Sequence, residues 1–166
     1  GSFYKSKHTG TFGKHAVLSF NGNKIITTGG GGAIISKKIT EGKEIKHIIS
    51  TAKKKHAYEF KHDQQAFNYR MPNLNAALGS AQFKKLKKFL KQKRELASIY
   101  ENFFRNSDYI FFKEPKNAKS NYWLNAIECE NRRHRDIFLK TTNAKGILTR
   151  PIWTLLTKLP MFHDSI

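Results

Sequence analysis

The sequence predicts an α/β chain, on three observations. Two short apolar runs near the start are bounded by glycine-rich turns, a long central stretch has helical apolar spacing, and the last third carries strand and helix patterns in turn. The last of these suggests a small α/β or α+β unit appended to the long helix.

The early runs are Ala16-Val17-Leu18-Ser19-Phe20 and Ala33-Ile34-Ile35-Ser36. They read as strands because Asn21-Gly22-Asn23 and the four glycines from Gly29 to Gly32 flank them. Thr40, with Glu41 and Glu44 behind it, reads as an N-cap followed by an acidic first turn. That helix runs to about Ala52 with Ile45, Ile48 and Ile49 on its inner face. Residues 53–69 have no period and read as a long loop, of the kind that is functional or disordered in a compact domain. After Pro72, Asn73 reads as the cap of a long helix that runs, with room for one break, to about Arg105. Residues 109–112 and 122–127 read as strands, and residues 132–145 as a helix stopped by Gly146.

A length of 166 residues suits one domain or parts of two. The lone Cys129 excludes a disulfide framework, fits either a reducing compartment or a secreted protein without bridges, and reads as a small buried hydrophobe before a catalytic thiol. Lys plus Arg number 31 against 12 Asp plus Glu, a net charge of +19, while 39% hydrophobic residues exclude a disordered basic tail. No apolar stretch approaches the roughly 20 residues that span a bilayer. The start, Gly1-Ser2-Phe3, has neither Met nor an apolar signal core and reads as part of a longer protein.

Such a charge attracts polyanions. Residues 84–94 hold Lys84, Lys85, Lys87, Lys88, Lys91, Lys93 and Arg94, while Phe83, Leu86, Leu90, Ala97, Tyr100 and Phe104 recur three, four or seven apart. This is an amphipathic helix with a lysine outer face. No zinc-finger spacing, RNP-type aromatic motif or GXXG clamp accompanies it, so specific nucleic-acid recognition has no carrier. A basic polyanion binder without chemistry stays open. The seven histidines fall in no ligand spacing, and no metal is expected. No Lys-Ser/Thr pair follows the tetraglycine, which is therefore a turn and not a phosphate-cradling loop.

One lysine, Lys24, sits in the glycine-flanked connection between the two apolar strands. Schiff-base chemistry needs a lysine whose stem is held against a sheet and whose neutral amine faces a cavity. In a chain with 31 basic residues, a hydrated lysine at a bend fits the same spacing.

Two motifs in order add a family resemblance. The run Ser19-Phe20-Asn21-Gly22-Asn23-Lys24, followed by Gly29 to Gly32 and later by Asn68-Tyr69-Arg70-Met71-Pro72-Asn73-Leu74-Asn75-Ala76-Ala77-Leu78, resembles the DegT/DnrJ/EryC1/StrS family of pyridoxal 5′-phosphate (PLP)-dependent nucleotide-sugar aminotransferases. Ile25-Ile26-Thr27-Thr28 before the tetraglycine, Ser120-Asn121-Tyr122-Trp123-Leu124-Asn125-Ala126 and Thr149-Arg150-Pro151-Ile152-Trp153 are similar to its LegC-like branch. Members of that branch aminate a 4-keto-6-deoxy UDP-N-acetyl sugar.

The resemblance implies a fragment of a fold-type I, aspartate aminotransferase-like transferase. Residues 1–88 would be the C-terminal part of the PLP-binding large domain, and residues 89–166 the connecting helix with a partial small domain. Lys24 matches the lysine that links covalently to PLP and moves the proton, Ser19 the hydroxyl on the cofactor phosphate, and Asn68 an amide reaching that phosphate from the opposite subunit of a homodimer. A UDP-sugar substrate, glutamate as amino donor and a cytoplasmic setting follow from the same resemblance, with no specific nucleic acid and no membrane. Gly29 to Gly32 would let backbone pass close to cofactor and partner, and the commoner family wording has Glu where Gly30 stands. Family members run to well over twice this length. Their upstream half holds the Asp on the pyridine nitrogen, a Gly-Thr-type phosphate turn and a stacking aromatic, and the residues after Pro160-Met161-Phe162-His163-Asp164 stop short of the family's full small domain. The parent protein would transaminate, and this chain by itself would be active or catalytically silent. A missing half would also leave apolar surface on the strands that carry Ser19 and Lys24.

Overall fold

The computed structural model describes residues 1–162, so His163 and Asp164 lie outside the described residues. The chain divides into two compact units: Gly1–Tyr100 with Lys113–Asn125, and Glu101–Phe112 with the residues from Ala126 onward.

The first unit begins with a hairpin that the sequence reading does not contain. β1 (Phe3–Tyr4) and β2 (Lys7–His8) turn through Lys5 and Ser6, both at positive φ, and β6 (Ala118–Lys119) pairs antiparallel on the other side of β1. β3 (His15–Ser19) and β4 (Gly32–Ser36) form the expected antiparallel pair, in register from His15 opposite Ser36 to Ser19 opposite Gly32. Each strand lies within one residue of its sequence-based position.

α1 spans Ile39–Ile48. Its N-cap is Lys38, without a side-chain hydrogen bond, and the expected cap Thr40 lies inside the helix. Glu41 is drawn instead to the cations around it, with Lys14 Nζ at 3.0 Å. The helix stops short of Ala52 because Thr51 and Ala52 take left-handed backbone. Ala52 is fully buried and its N–H donates to His47 O at 2.9 Å. Residues 53–69 are the expected loop, and an organised one. Backbone bridges join Ser50 to Asn68 and Lys53 to His62, while His47 Nε2 meets Asp63 Oδ1 at 2.7 Å. That hydrogen bond holds the Asp63 carboxyl below its ordinary pKa.

The long helix is two. α2 (Asn73–Lys84) is capped by Pro72, so Asn73 is its first residue and not its cap. At Lys85 the backbone opens to ψ −1°, its N–H donates to Gln82 O at 2.9 Å, and α3 (Leu86–Phe104) follows. Ala97 is buried on α3, Ala16 on β3, and Thr28 in the connection between β3 and β4. Phe83 and Tyr100, expected on the apolar stripe, are exposed. The outward face of the β3 and β4 pair is uncovered: the cross-strand partners Val17 and Ile34 are 77% and 47% exposed.

In the second unit β5 (Ile110–Phe111) pairs antiparallel with β7 (Ile127–Glu128). The expected strand over 122–127 is thus reduced to its last residue, because Tyr122 has φ +44° and breaks an extended run. Phe111 is buried, and the rings of Phe104, Tyr109 and Phe138 follow one another at 6.0 and 5.0 Å. α4 (Arg132–Ala144) is capped by Asn131, whose side chain accepts from His134 N, and stops before Gly146 at φ +75°. Cys129 is half-buried just past β7. No described helix is long and apolar enough to cross a membrane.

Candidate functional site

The connection between β3 and β4 carries Lys24 and is closed at its base by backbone hydrogen bonds. Phe20 N–H donates to Gly31 O and Thr28 N–H to Phe20 O, both at 3.0 Å, and Lys24 N–H donates to Asn21 O at 3.1 Å. Two glycines are needed here for space. A Cβ on Gly32 would lie 2.5 Å from Leu18 O across the strand pair, and one on Gly79 of α2 would lie 2.7 Å from Thr28 Cγ2. α2 therefore packs its bare glycine against buried Thr28, and Asn75 Nδ2 donates to Thr28 O at 2.5 Å. Gly29 and Gly31 supply the left-handed backbone between them.

Lys24 is half-buried. Its Nζ lies 3.7 Å from the centroid of the Trp123 ring, within cation–π range. The indole Nε1–H of Trp123 donates to Asn23 O at 2.6 Å, so the same side chain touches the turn and the lysine that projects from it. Beside them lies an open groove of about 340 Å³, lined by Lys24, Ile25, Gln82, Phe89, Lys93 and Leu96 among others. Lys24 is thus neither buried in a core nor splayed from a bare bend.

The segment leading into Trp123 is held by a polar clamp at Glu114 and Ser120. Arg94 Nη1 and Nη2 donate to Glu114 Oε2 and Oε1 at 2.9 and 2.8 Å, and Nη1 also donates to Ser120 O at 2.6 Å. Ser120 N–H donates to Glu114 Oε2 at 2.6 Å. The Arg94 hydrogen bonds hold the Glu114 carboxyl down at about 2 and raise Arg94 above its ordinary value. Lys93 Nζ donates to Trp123 O at 3.4 Å. The basic block is accordingly not all outer face: Lys93 and Arg94 turn inward to hold 113–125, while Lys84, Lys85, Lys87, Lys88 and Lys91 stay exposed.

The other expected site residues stand apart from the groove. Ser19 is exposed at the end of β3 opposite Gly32, and Asn68 is exposed in the loop bridged to Ser50. Neither lines the groove with Lys24. The sequence motif gives Trp123 no role, because Asn23 and Lys24, which it touches, lie about a hundred residues away in sequence, beyond any local pattern. No cluster of metal-ligating side chains occurs among the described residues.

The groove offers a PLP group one partner, a primary amine for the aldehyde, while the Ser19 hydroxyl is exposed at the strand end and outside the groove lining. No carboxylate lines the groove to pair with a ring nitrogen.

The chain is 35% identical over 165 residues to the GDP-perosamine synthase of Escherichia coli O157:H7, covering 99% of this chain and 45% of that protein. It is 34% identical over 126 residues to the UDP-4-amino-4,6-dideoxy-N-acetyl-beta-L-altrosamine transaminase of Helicobacter pylori, covering 74% of this chain and 33% of that one. Among solved structures it resembles Helicobacter pylori PseC, an aminotransferase involved in the biosynthesis of pseudoaminic acid. The TM-score is 0.90 at 25% identity, over 99% of this chain and 45% of that one. The chain spans less than half the length of each, so its fold is a part of the fold-type I transferase architecture. A family model described as the DegT/DnrJ/EryC1/StrS aminotransferase family matches residues 1–166, and the chain belongs to that family.

Proposed function

We propose that the protein to which this sequence belongs is a PLP-dependent nucleotide-sugar aminotransferase, with Lys24 as its covalent and proton-transferring residue. The observation that carries the reading is the placement of the Lys24 amine, half-buried against Trp123 and on the wall of a groove. In this reading residues 1–88 complete the large domain, and residues 89–166 supply the connecting helix and part of the small one. The substrate is a 4-keto-6-deoxy UDP-N-acetyl sugar, as the LegC-like wording and the name of the Helicobacter pylori relative support. Glutamate is the amino donor, the working form is a homodimer in the cytoplasm, and Asn68 serves the neighbouring subunit's site.

When bound, PLP supplies an electron sink that stabilises negative charge on the carbon losing its proton. With PLP bound, Lys24 would hold it through Nζ, and the same nitrogen would be the group that carries a proton between sugar and cofactor carbons. Ser19 binds the phosphate through its hydroxyl. Lys24 lies on the connection that follows Ser19 at the end of β3 and is closed at its base by backbone hydrogen bonds. In this reading the carboxylate that the family resemblance implies on the ring nitrogen is supplied from outside this chain, which covers 45% of the Escherichia coli relative's length.

The test is cofactor trapping on the intact chain. Added PLP gives a visible absorbance that borohydride fixes, peptide mapping finds the label at Lys24, and Lys24→Ala abolishes both. Label spread evenly over the many lysines of a folded sample would overturn the reading.

A further inference from the structure

We propose that Trp123 is a positioning residue for Lys24. Its bearing on catalysis rests on the role proposed above for that lysine, whereas the contact itself does not. A lysine has four rotatable bonds and loses rotamer freedom only where something holds its head. On a turn outside any regular element, the head would sample many positions. Here two groups of one side chain act together. The indole face receives Lys24 Nζ at 3.7 Å, and the indole N–H anchors Asn23 O, the residue immediately before, at 2.6 Å. Tryptophan is the aromatic best suited to the first contact and, through its N–H donor, to the second.

The holder is itself held at several points. Trp123 N–H donates to Asn121 Oδ1 at 3.0 Å, its carbonyl accepts from Lys93, and Asn121 N–H donates to Ser2 Oγ at 3.1 Å. The Arg94 and Glu114 clamp fixes the segment just before it, and β6 ties that segment to β1. Positions so constrained restrict Lys24 to one region of the groove wall. With so many lysines in the chain, restriction of this kind is what separates one amine from the rest.

The experiment reads the contact without cofactor. In a proton–carbon correlation spectrum of the intact chain, the ε-methylene of one lysine is expected upfield of all others through the indole ring current, and Lys24→Arg removes that signal. Trp123→Phe keeps a reduced shift, and Trp123→Leu, apolar but without a π face, abolishes it while circular dichroism reports an unchanged fold. The share of borohydride-trapped PLP at Lys24 then falls about fivefold in Trp123→Leu, the scale of the rotamer freedom the amine regains once nothing holds it, with partial recovery in Trp123→Phe. Absence of an upfield lysine signal, or its survival in Lys24→Arg or in Trp123→Leu, overturns the proposal. Selective label at Lys24 that is equal in all three Trp123 forms also overturns it. A clear ring-current shift with no selective label at Lys24 in any form would instead sink the aminotransferase role and leave the contact standing.

Discussion

Arg94 grips Glu114 with both terminal nitrogens, at 2.9 and 2.8 Å, and through that pair joins α3 to the strand-like segment that ends in Trp123. Bidentate guanidinium–carboxylate pairs fix geometry as well as supplying attraction. This one also shares its atoms with the Ser120 backbone, so both hydrogen-bonding partners of the peptide are charged.

Glu114 makes stability depend on pH in a stated window. Its carboxyl falls from 4.5 to about 2 in the folded chain, chiefly because Arg94 donates to it. Between those values the unfolded chain binds more protons than the folded one. The contribution is therefore complete above about 4.5 and is lost as pH falls toward about 2. Glu114→Gln should unfold at lower urea concentration at neutral pH, by about 1–2 kcal/mol after solvent screening of a partly exposed pair. The gap to the unaltered chain should close as pH falls through that window. A gap constant from neutral pH to the acid limit would refute the assignment.

The four glycines do not carry equal constraints. A Cβ on Gly32 would press on the Leu18 carbonyl at 2.5 Å, backbone against backbone, whereas a Cβ on Gly30 meets nothing within 4 Å. Gly32→Ala should cost about 1–3 kcal/mol or break the β3 and β4 register, and Gly30→Ala should change stability by less than about 0.5 kcal/mol. Urea denaturation of the two variants decides it, and equal effects would count against the close approach. The open space at Gly30 also explains how a side chain is accommodated there in the commoner family wording.

The parts of the fold legible in sequence were those fixed by local rules. Gly146 stops α4 in left-handed backbone as a C-terminal glycine should, and apolar runs edged by glycine became β3 and β4. The parts not legible were set by side chains far away or by backbone that glycine does not announce. Lys5 and Ser6 turn the first hairpin at positive φ without glycine or asparagine, so no turn signal marked it. Residues 122–127 read as a strand, yet Ser120 Oγ and Asn121 Oδ1 accept the N–H groups of Tyr122 and Trp123 that a ladder would use. The same is true of the site: the glycine-flanked turn singled out Lys24, while its contact with Trp123 exists only after the chain has folded.

The uncovered face of β3 and β4 should make the chain associate. Val17 and Ile34 are cross-strand partners with 77% and 47% of their surface exposed, and Ile35 on the opposite side of the pair is 53% exposed. A patch of this kind rarely stays open on a soluble monomer. Light scattering of the intact chain should show concentration-dependent growth. The paired substitution Val17→Lys with Ile34→Thr should reduce that growth at little cost in stability, since neither side chain is buried. Scattering from a compact monomer at all concentrations in the unaltered chain would contradict this.

The contact between α2 and the Lys24 connection can be tested by a substitution that local propensity says should help. Gly79 lies inside α2, where alanine is favoured over glycine by about 1 kcal/mol. Its missing Cβ is nevertheless what lets the helix approach: the added atom would stand 2.7 Å from Thr28 Cγ2, and Thr28 is only 2% exposed and has no room to retreat. Overpacking of this sort costs about 1–3 kcal/mol, so Gly79→Ala should be net destabilising. Thr28→Ser removes the clashing methyl and keeps the hydroxyl that donates to Gly30 O. The double variant should therefore be more stable than Gly79→Ala alone, a coupling that independent sites would not show. Loss of the upfield Lys24 signal in Gly79→Ala and its return in the double variant would tie the packing of α2 to the placement of the amine. Additive effects on stability would mean that the helix and the connection do not touch as described.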